Sequence, residues 1–119
     1  MLAGRDDLAG ERFTGTERKT VEQLLEGVDM EKTVVMMDHQ PMKRSESKDL
    51  GVDLLISGHT HRGQLYPGSI ITSWIYSPDW GIERYGSMKA VVSSGYGTWG
   101  PPIRVGSSSE IVILNLKNN

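Results

Sequence analysis

The chain contains no cysteine. Disulfides, thiolate-zinc sites and cysteine nucleophiles are therefore excluded, and the redox compartment is left open. Long apolar runs are missing too: nothing approaches the ~20 consecutive apolar residues that a membrane-spanning helix needs. The opening residues, Met1-Leu2-Ala3-Gly4-Arg5-Asp6-Asp7, have neither the basic nor the apolar part of a signal peptide. Charge of one sign does not prevail. Thirteen Lys and Arg stand against fifteen Asp and Glu, a formal net charge of -2, and the basic residues are scattered. That leaves no electrostatic footprint for nucleic acid. No repeat or low-complexity tract occurs. What remains is a domain soluble as given, or a piece of one, with 119 residues to build a core and 24% charged residues to solvate it.

Several segments carry a clear local pattern. Leu2-Ala3 reads as a strand end, followed by a polar, glycine-punctuated loop through Gly15. Thr16 is a candidate N-cap, and the spacing of Val21, Leu24, Leu25 and Val28 predicts an amphipathic helix over 17–27 that stops at Gly27. The apolar run 33–37 is the pattern of a strand buried on both faces, closed by Pro41. A short polar helix over 43–50 and a strand over 53–57 follow. Strand, helix and strand in so short a span predict a parallel βαβ unit. Residues 64–109 are rich in Gly, Ser, Tyr, Trp and Pro, with strand-like pieces at 70–76, 82–86 and 88–93. Alternation over 110–116 predicts a last strand, antiparallel to its neighbour.

The histidines concentrate the chemistry. In a parallel sheet the strand ends line up, and sites collect outside the carboxyl edge. His39 lies two residues past the first buried strand, and His59 and His61 lie just past the second. His59 and His61 are two positions apart, so in an extended segment their rings face the same way. Alone, His39 is more often a hydrogen-bonded loop residue, and His-x-His is common in plain loops. All three histidines of the chain at one edge of one sheet is a coincidence that favours a metal site. Imidazole ligands suit Zn, Mn, Fe, Co or Ni. Three imidazoles with an open position would make a zinc-water site.

Other candidates carry less. Arg5, Asp6 and Asp7 offer carboxylates, but an acidic cluster is more often a cap or a salt-bridged corner. Residues 93–98 read first as a glycine turn. Trp74, Trp80 and Trp99 line a pocket or pack a core. Arg104 would meet a phosphate, but a lone arginine is usually surface. Ser57 lacks an oriented base and makes no triad.

Gly4-Arg5-Asp6-Asp7, Asp38-His39-Gln40-Pro41 and Gly51 through Gln64, which contains Gly58-His59-Thr60-His61-Arg62-Gly63-Gln64, resemble the calcineurin-like metallophosphoesterases. Within them the chain is similar to the YkuE/YaeI-type bacterial phosphohydrolase branch, as are Ser94 through Thr98 and Pro101 through Arg104. The resemblance implies an α/β (α+β layered) fold: a β-sandwich flanked by helices, with a mixed sheet containing the βαβ unit. It implies a metal-dependent hydrolase of phosphomonoester, phosphodiester or pyrophosphate bonds, with two metals activating a bridging hydroxide. By the same resemblance His39 and His59 bind one metal and His61 the other. Gly58 lets the backbone approach, Gly63 turns the loop, and Thr60 and Arg62 belong to the loop and substrate rim. Arg62 stands where this branch often has glycine.

The family's D-x-H, G-D-x-x-D and G-N-H-[DE] motifs do not occur in these 119 residues. The resemblance therefore implies a single partial domain over 1–119, the C-terminal half, whose partner is the N-terminal half. No catalytic residue is assigned in this chain. Without a bridging carboxylate it is expected to bind at most one metal, weakly, to be inactive or nearly so, and to self-associate when alone. The location of the parent, cytoplasmic or membrane-anchored, is left open. The alternatives are a non-catalytic metal-binding or structural module using the three histidines, and a mononuclear zinc hydrolase.

Overall fold

The computed structural model describes residues 1–117. Its elements, in chain order, are β1 (Leu2–Arg5), α1 (Gly10–Thr14), α2 (Val21–Leu25), β2 (Val35–Asp38), α3 (Arg44–Asp49) and β3 (Leu54–Ser57). A 3-10 turn (His61–Gly63), α4 (Gly68–Ile75), β4 (Gly81–Tyr85) and β5 (Met88–Val92) complete them. The strands form one mixed α/β sheet of five, in the order β1-β2-β3-β5-β4. All neighbours are parallel except β4, which pairs antiparallel with β5. That hairpin turns through Gly86-Ser87, and Gly86 supplies the positive φ (61°) that a two-residue loop needs at its first position.

Register places Ala3, Met36, Leu55 and Ala90 side by side on one face. Met36, Leu55 and Ala90 are buried there with Val21 and Leu25 of α2, and with Val34, Val52 and Met88. Leu50, just past α3, packs against the same cluster. The βαβ unit thus buries one face of the sheet, as non-directional apolar packing requires. The opposite face is covered at its centre, where Leu54 and Val91 are buried, and open at its flanks. Leu2 (64%), Met37 (44%) and Ile82 (66%) remain exposed there.

Four sequence expectations are corrected. The helix expected over 17–27 begins at Val21, and its cap is Thr20, not Thr16: Thr20 accepts from Gln23 N while the Gln23 side chain accepts from Thr20 N. Residues 16–19 are held out of the helix because the Arg18 side chain reaches Asp38 and its N–H donates to Glu11. The piece at 70–76 is a helix, α4, not a strand. Its hydroxyls satisfy backbone locally: Thr72 donates to Ser69 O (3.2 Å) and Ser73 to Ile70 O (2.8 Å). The strand expected over 110–116 does not form. Ile111 and Ile113 are about four-fifths exposed, and the alternation meets no second sheet among the described residues. A short helix, α1, lies in what the sequence reads as loop. No helix among the described residues is long and apolar enough to cross a membrane.

Candidate metal site at the carboxyl edge of the sheet

The parallel register sets Arg5 beside Asp38 and carries β3 alongside, so the chain leaves these strands at one common edge. His39 follows β2 directly. Gly58 and His59 follow β3, and the Gly58 N–H donates to His39 O (3.1 Å), fixing the two exits side by side. The rings meet edge to face, with centroids 5.0 Å apart and planes at 83°. His39 Nε2 and His59 Nδ1 are 3.2 Å apart.

Asp7 approaches the same pair from the loop after β1, with Oδ2 3.7 Å from His39 Nε2. Its carboxylate accepts from Ala9 N (2.7 Å) and Gln40 Nε2 (2.9 Å). The Ala9 N–H, opposed by desolvation and joined by the Gln40 amide and the two imidazoles, holds the Asp7 carboxyl below its ordinary value. Asp7, Gln40, Met42, His59 and Tyr76 line an open cavity of about 280 Å³. Asp6 makes no polar contact with the histidines.

The pKa values of His59 and His61 are both lowered, with some causes shared and others not. Burial comes first for both, and lowers each ring below the usual histidine value. The His39 charge adds to this at His59, and the Arg104 guanidinium at His61, whose contact with the Gly97 carbonyl pulls the other way. A neutral ring is the form that binds a cation.

The loop carrying His59 and His61 is wound through left-handed backbone. His59, His61, Arg62 and Gln64 have φ of 67°, 47°, 49° and 37°, where side chains are disfavoured by roughly 1 kcal/mol or more each. Gly63 (φ 69°) is where packing demands glycine: a Cβ there would meet Ser69 N at 2.1 Å. At Gly58 a Cβ would meet just Ser93 O at 3.9 Å, an ordinary contact, so the expected close backbone approach is not forced there. Thr60 is buried. Its hydroxyl donates to Asp79 O (2.6 Å) and accepts from Arg62 N (3.2 Å), so it shapes the loop from inside. The Arg62 guanidinium lies 4.0 Å from the centre of the Trp80 ring, a cation-π pair. Trp80 Nε1 in turn donates to Glu110 (2.8 Å).

The structural roles of four residues at this edge escape the sequence reading. Asp38, buried, is paired with Arg5 (3.3 Å) and Arg18, and is committed to that ion triad. Gln64, also buried, pairs both ends of its amide with one backbone unit: Nε2 donates to Trp99 O (2.8 Å) and Oε1 accepts from Trp99 N (2.9 Å). Arg104 is part-buried and donates to the carbonyls of Ser94, Gly95, Gly97 and His61. Glu110 accepts from Ser94 N (2.8 Å), Ser93 Oγ (3.1 Å) and Trp80 Nε1. Trp74 and Trp99 are mostly exposed, so neither packs a core.

Two nitrogens 3.2 Å apart fit as neighbouring ligands of one ion. At a metal–nitrogen distance of ~2.05 Å they subtend roughly 100°, close to a tetrahedral angle. Among the described residues, however, no group of three or more His, Asp or Glu side chains is arranged to hold an ion. The chain supplies part of a coordination sphere.

No family model matches the chain, and no solved structure matches it. Curated proteins do. An uncharacterized metallophosphoesterase of Aquifex aeolicus is 37% identical over 119 residues, covering 98% of this chain and 45% of its own length. One from Campylobacter jejuni is 40% identical over 98% of this chain and 31% of its own length. The uncharacterized metallophosphoesterase YkuE of Bacillus subtilis is 32% identical over 71% of this chain and 31% of its own length. The chain thus spans less than half the length of these relatives, and over that span it is similar to proteins named metallophosphoesterases.

Proposed function

We propose that this chain supplies the histidine side of a dinuclear metal centre that hydrolyses phosphomonoester, phosphodiester or pyrophosphate bonds in a longer parent protein. The observation that carries the reading is the His39–His59 pair, with facing nitrogens 3.2 Å apart at the carboxyl edge. These two hold one divalent ion, and His61 contributes to the second. When bound, the metals activate water and neutralise the phosphate. The chain's own part is to orient His59 and His61 on a loop whose strain is held by Gln64, Thr60 and Arg104, beside His39 at the exit of β2. Mn, Fe, Zn, Co and Ni all accept such ligands.

Two adjacent cations need a bridging carboxylate, which this reading assigns to the remainder of the parent. The isolated chain then binds at most one ion weakly and is inactive or nearly so. With its sheet flanks exposed it self-associates until that remainder covers them. The parent's location stays open. The second reading, a non-catalytic module using the histidines, is favoured by the partial ligand set alone.

The test compares the 119-residue chain with the longer parent, using bis(p-nitrophenyl) phosphate and Mn²⁺. Turnover should require the parent and fall in its His59→Ala form by more than the ~10–100-fold typical of an outer-shell change. Robust metal-dependent turnover by the short chain, abolished by His59→Ala, would overturn the assignment of a missing carboxylate. A parent that binds Mn²⁺ without turning over this or a monoester substrate would favour the second reading.

A further inference from the structure

We propose that Arg62, stacked on Trp80, anchors a second phosphate group of the substrate in the cavity beside the histidine loop. The site would then favour phosphate esters or anhydrides that carry a further phosphate. This assignment rests on the metal reading above and gives it a substrate class. The cavity, of about 380 Å³, is lined in part by Arg62, Trp80, Ser94, Ser107 and Glu110. It is distinct from the cavity that holds His59 and Tyr76. One side chain joins it to the histidine loop: Ser94 O accepts from Arg104 Nη2 (2.9 Å), and Arg104 Nη1 donates to His61 O (3.2 Å).

Charge decides what the cavity takes. Arg5 and Arg18 are spent on Asp38, Arg44 donates to Pro78 O, and Arg104 donates to four carbonyls. Among the described residues, the Arg62 guanidinium has the Trp80 ring, 4.0 Å away, and neither a carboxylate nor a hydrogen-bond acceptor. Stacking covers the face of a planar guanidinium, while its five N–H groups point outward in the plane. Trp80 therefore fixes the group without consuming a donor. A fork of two in-plane N–H groups matches two oxygens of one phosphate.

The platform under Arg62 is itself braced. Trp80 Nε1 donates to Glu110 Oε1 (2.8 Å), which also accepts from Ser94 N (2.8 Å) and Ser93 Oγ (3.1 Å). The one carboxylate named on this wall is thus met by three donors, whereas the charge of Arg62 is met by none. The Ser107 hydroxyl is buried without a partner among the described residues. A buried hydroxyl in that state calls for a water, an ion or a ligand oxygen. Arg62 also stands at a φ of 49°, where glycine would be unstrained. A side chain kept against that backbone preference is accounted for by a task in the cavity.

The test has two arms. In the first, the indole N–H signals of the metal-free 119-residue chain are followed by ¹H–¹⁵N correlation as inorganic pyrophosphate is added. Trp80 is assigned by loss of its signal in Trp80→Phe. Its signal should shift saturably, and binding should weaken about 10–100-fold in Arg62→Gly, as expected for loss of hydrogen bonds from a charged group. Arg62→Lys, which keeps the charge without the fork, should fall between. Should Arg62→Gly fail to fold, Arg62→Gln takes its place. A Trp80 signal indifferent to pyrophosphate, or equal binding by wild type and Arg62→Gly, would overturn the proposal. With an active parent, that result removes the anion site and leaves the metal reading standing.

In the second arm, the longer parent with Mn²⁺ is given pyrophosphate and bis(p-nitrophenyl) phosphate, and kcat/KM is measured for each. In Arg62→Gly the ratio of the two should shift against pyrophosphate by about tenfold, mainly through KM. Equal losses on both substrates would place Arg62 at the scissile phosphate and overturn the second-phosphate assignment. A parent that hydrolyses neither, beside an Arg62-dependent response in the short chain, counts against the metal reading. The substrate assignment falls with it, and the cavity remains as a site for free pyrophosphate.

Discussion

Gln64 shows how much of this edge depends on single side chains that bond to backbone. Its amide satisfies both the N–H and the C=O of Trp99, thirty-five positions away, and so ties the histidine loop to the segment that carries Arg104. Replacing Gln64 with Leu should lower stability by about 1–3 kcal/mol, because the partners lose their bonds and the site stays buried. Urea denaturation of the two forms would measure it. Glu110 offers a test by pH. Burial raises its carboxyl, but the Ser94 N–H, the Trp80 indole and the Ser93 and Ser94 side chains together bring it below the ordinary value. The folded state then binds this proton less readily than the unfolded state. The stabilisation is complete above the unfolded value near 4.5 and lost as pH falls through the lower folded one. Glu110→Gln should flatten that part of the stability–pH curve as pH falls below about 5.

At this scale the histidines were legible because residue type and spacing carry the signal. Gln64 and Arg104 were not. Their acceptors and donors are main-chain groups of other loops, and a backbone carbonyl looks the same under every residue. Asp38 was visible as a neighbour of His39, but its role depends on Arg5 and Arg18, which only the fold brings to it.

At the scale of elements, that ion triad joins the end of β1, the segment before α2 and the end of β2. Side chains of Arg5 and Arg18 are 8% and 5% exposed, and that of Asp38 is fully buried. Removing the carboxylate leaves two guanidinium groups without a counter-charge. Asp38→Asn should cost about 3–5 kcal/mol, and an apolar replacement of all three residues should recover much of it. Amide exchange at the β1–β2 ladder would show where the loss falls. The parallel βαβ unit was readable because apolar runs bounded by glycine and proline report strands, but burial on both faces fails at β2, where Met37 is 44% exposed on the open face. The errors at 70–76 and 110–116 share one cause. Side-chain alternation and β-branching report which faces are apolar, and they do not report whether a strand partner exists. Ile70, Ile71 and Thr72 fold as a helix, and Ile111 and Ile113 run exposed without a ladder.

For the molecule as a whole, the uneven covering of the sheet has a measurable outcome. One face is packed by α2 and the chain around α3. The other leaves Leu2, Met37 and Ile82 in solvent, and α4 adds Ile71, Trp74 and Ile75 to the exposed apolar surface. Sedimentation velocity of the isolated chain should show association that grows with concentration. Ile82→Lys should shift it toward monomer, since a charge on an edge strand opposes both face burial and strand pairing. A monomer across the whole concentration range would remove the basis for self-association.

The loop from His59 to Gln64 also bears on portability. Its left-handed residues are disfavoured one by one, and they are held by groups contributed from Asp79, Trp99, Arg104 and the start of α4. A synthetic heptapeptide with the sequence Gly58 through Gln64 would relax out of that shape and lose the arrangement of its imidazoles. Grafting the motif into another scaffold would therefore require transplanting the distant residues that brace it. The recognisable seven letters are the visible end of a structure distributed over half the chain.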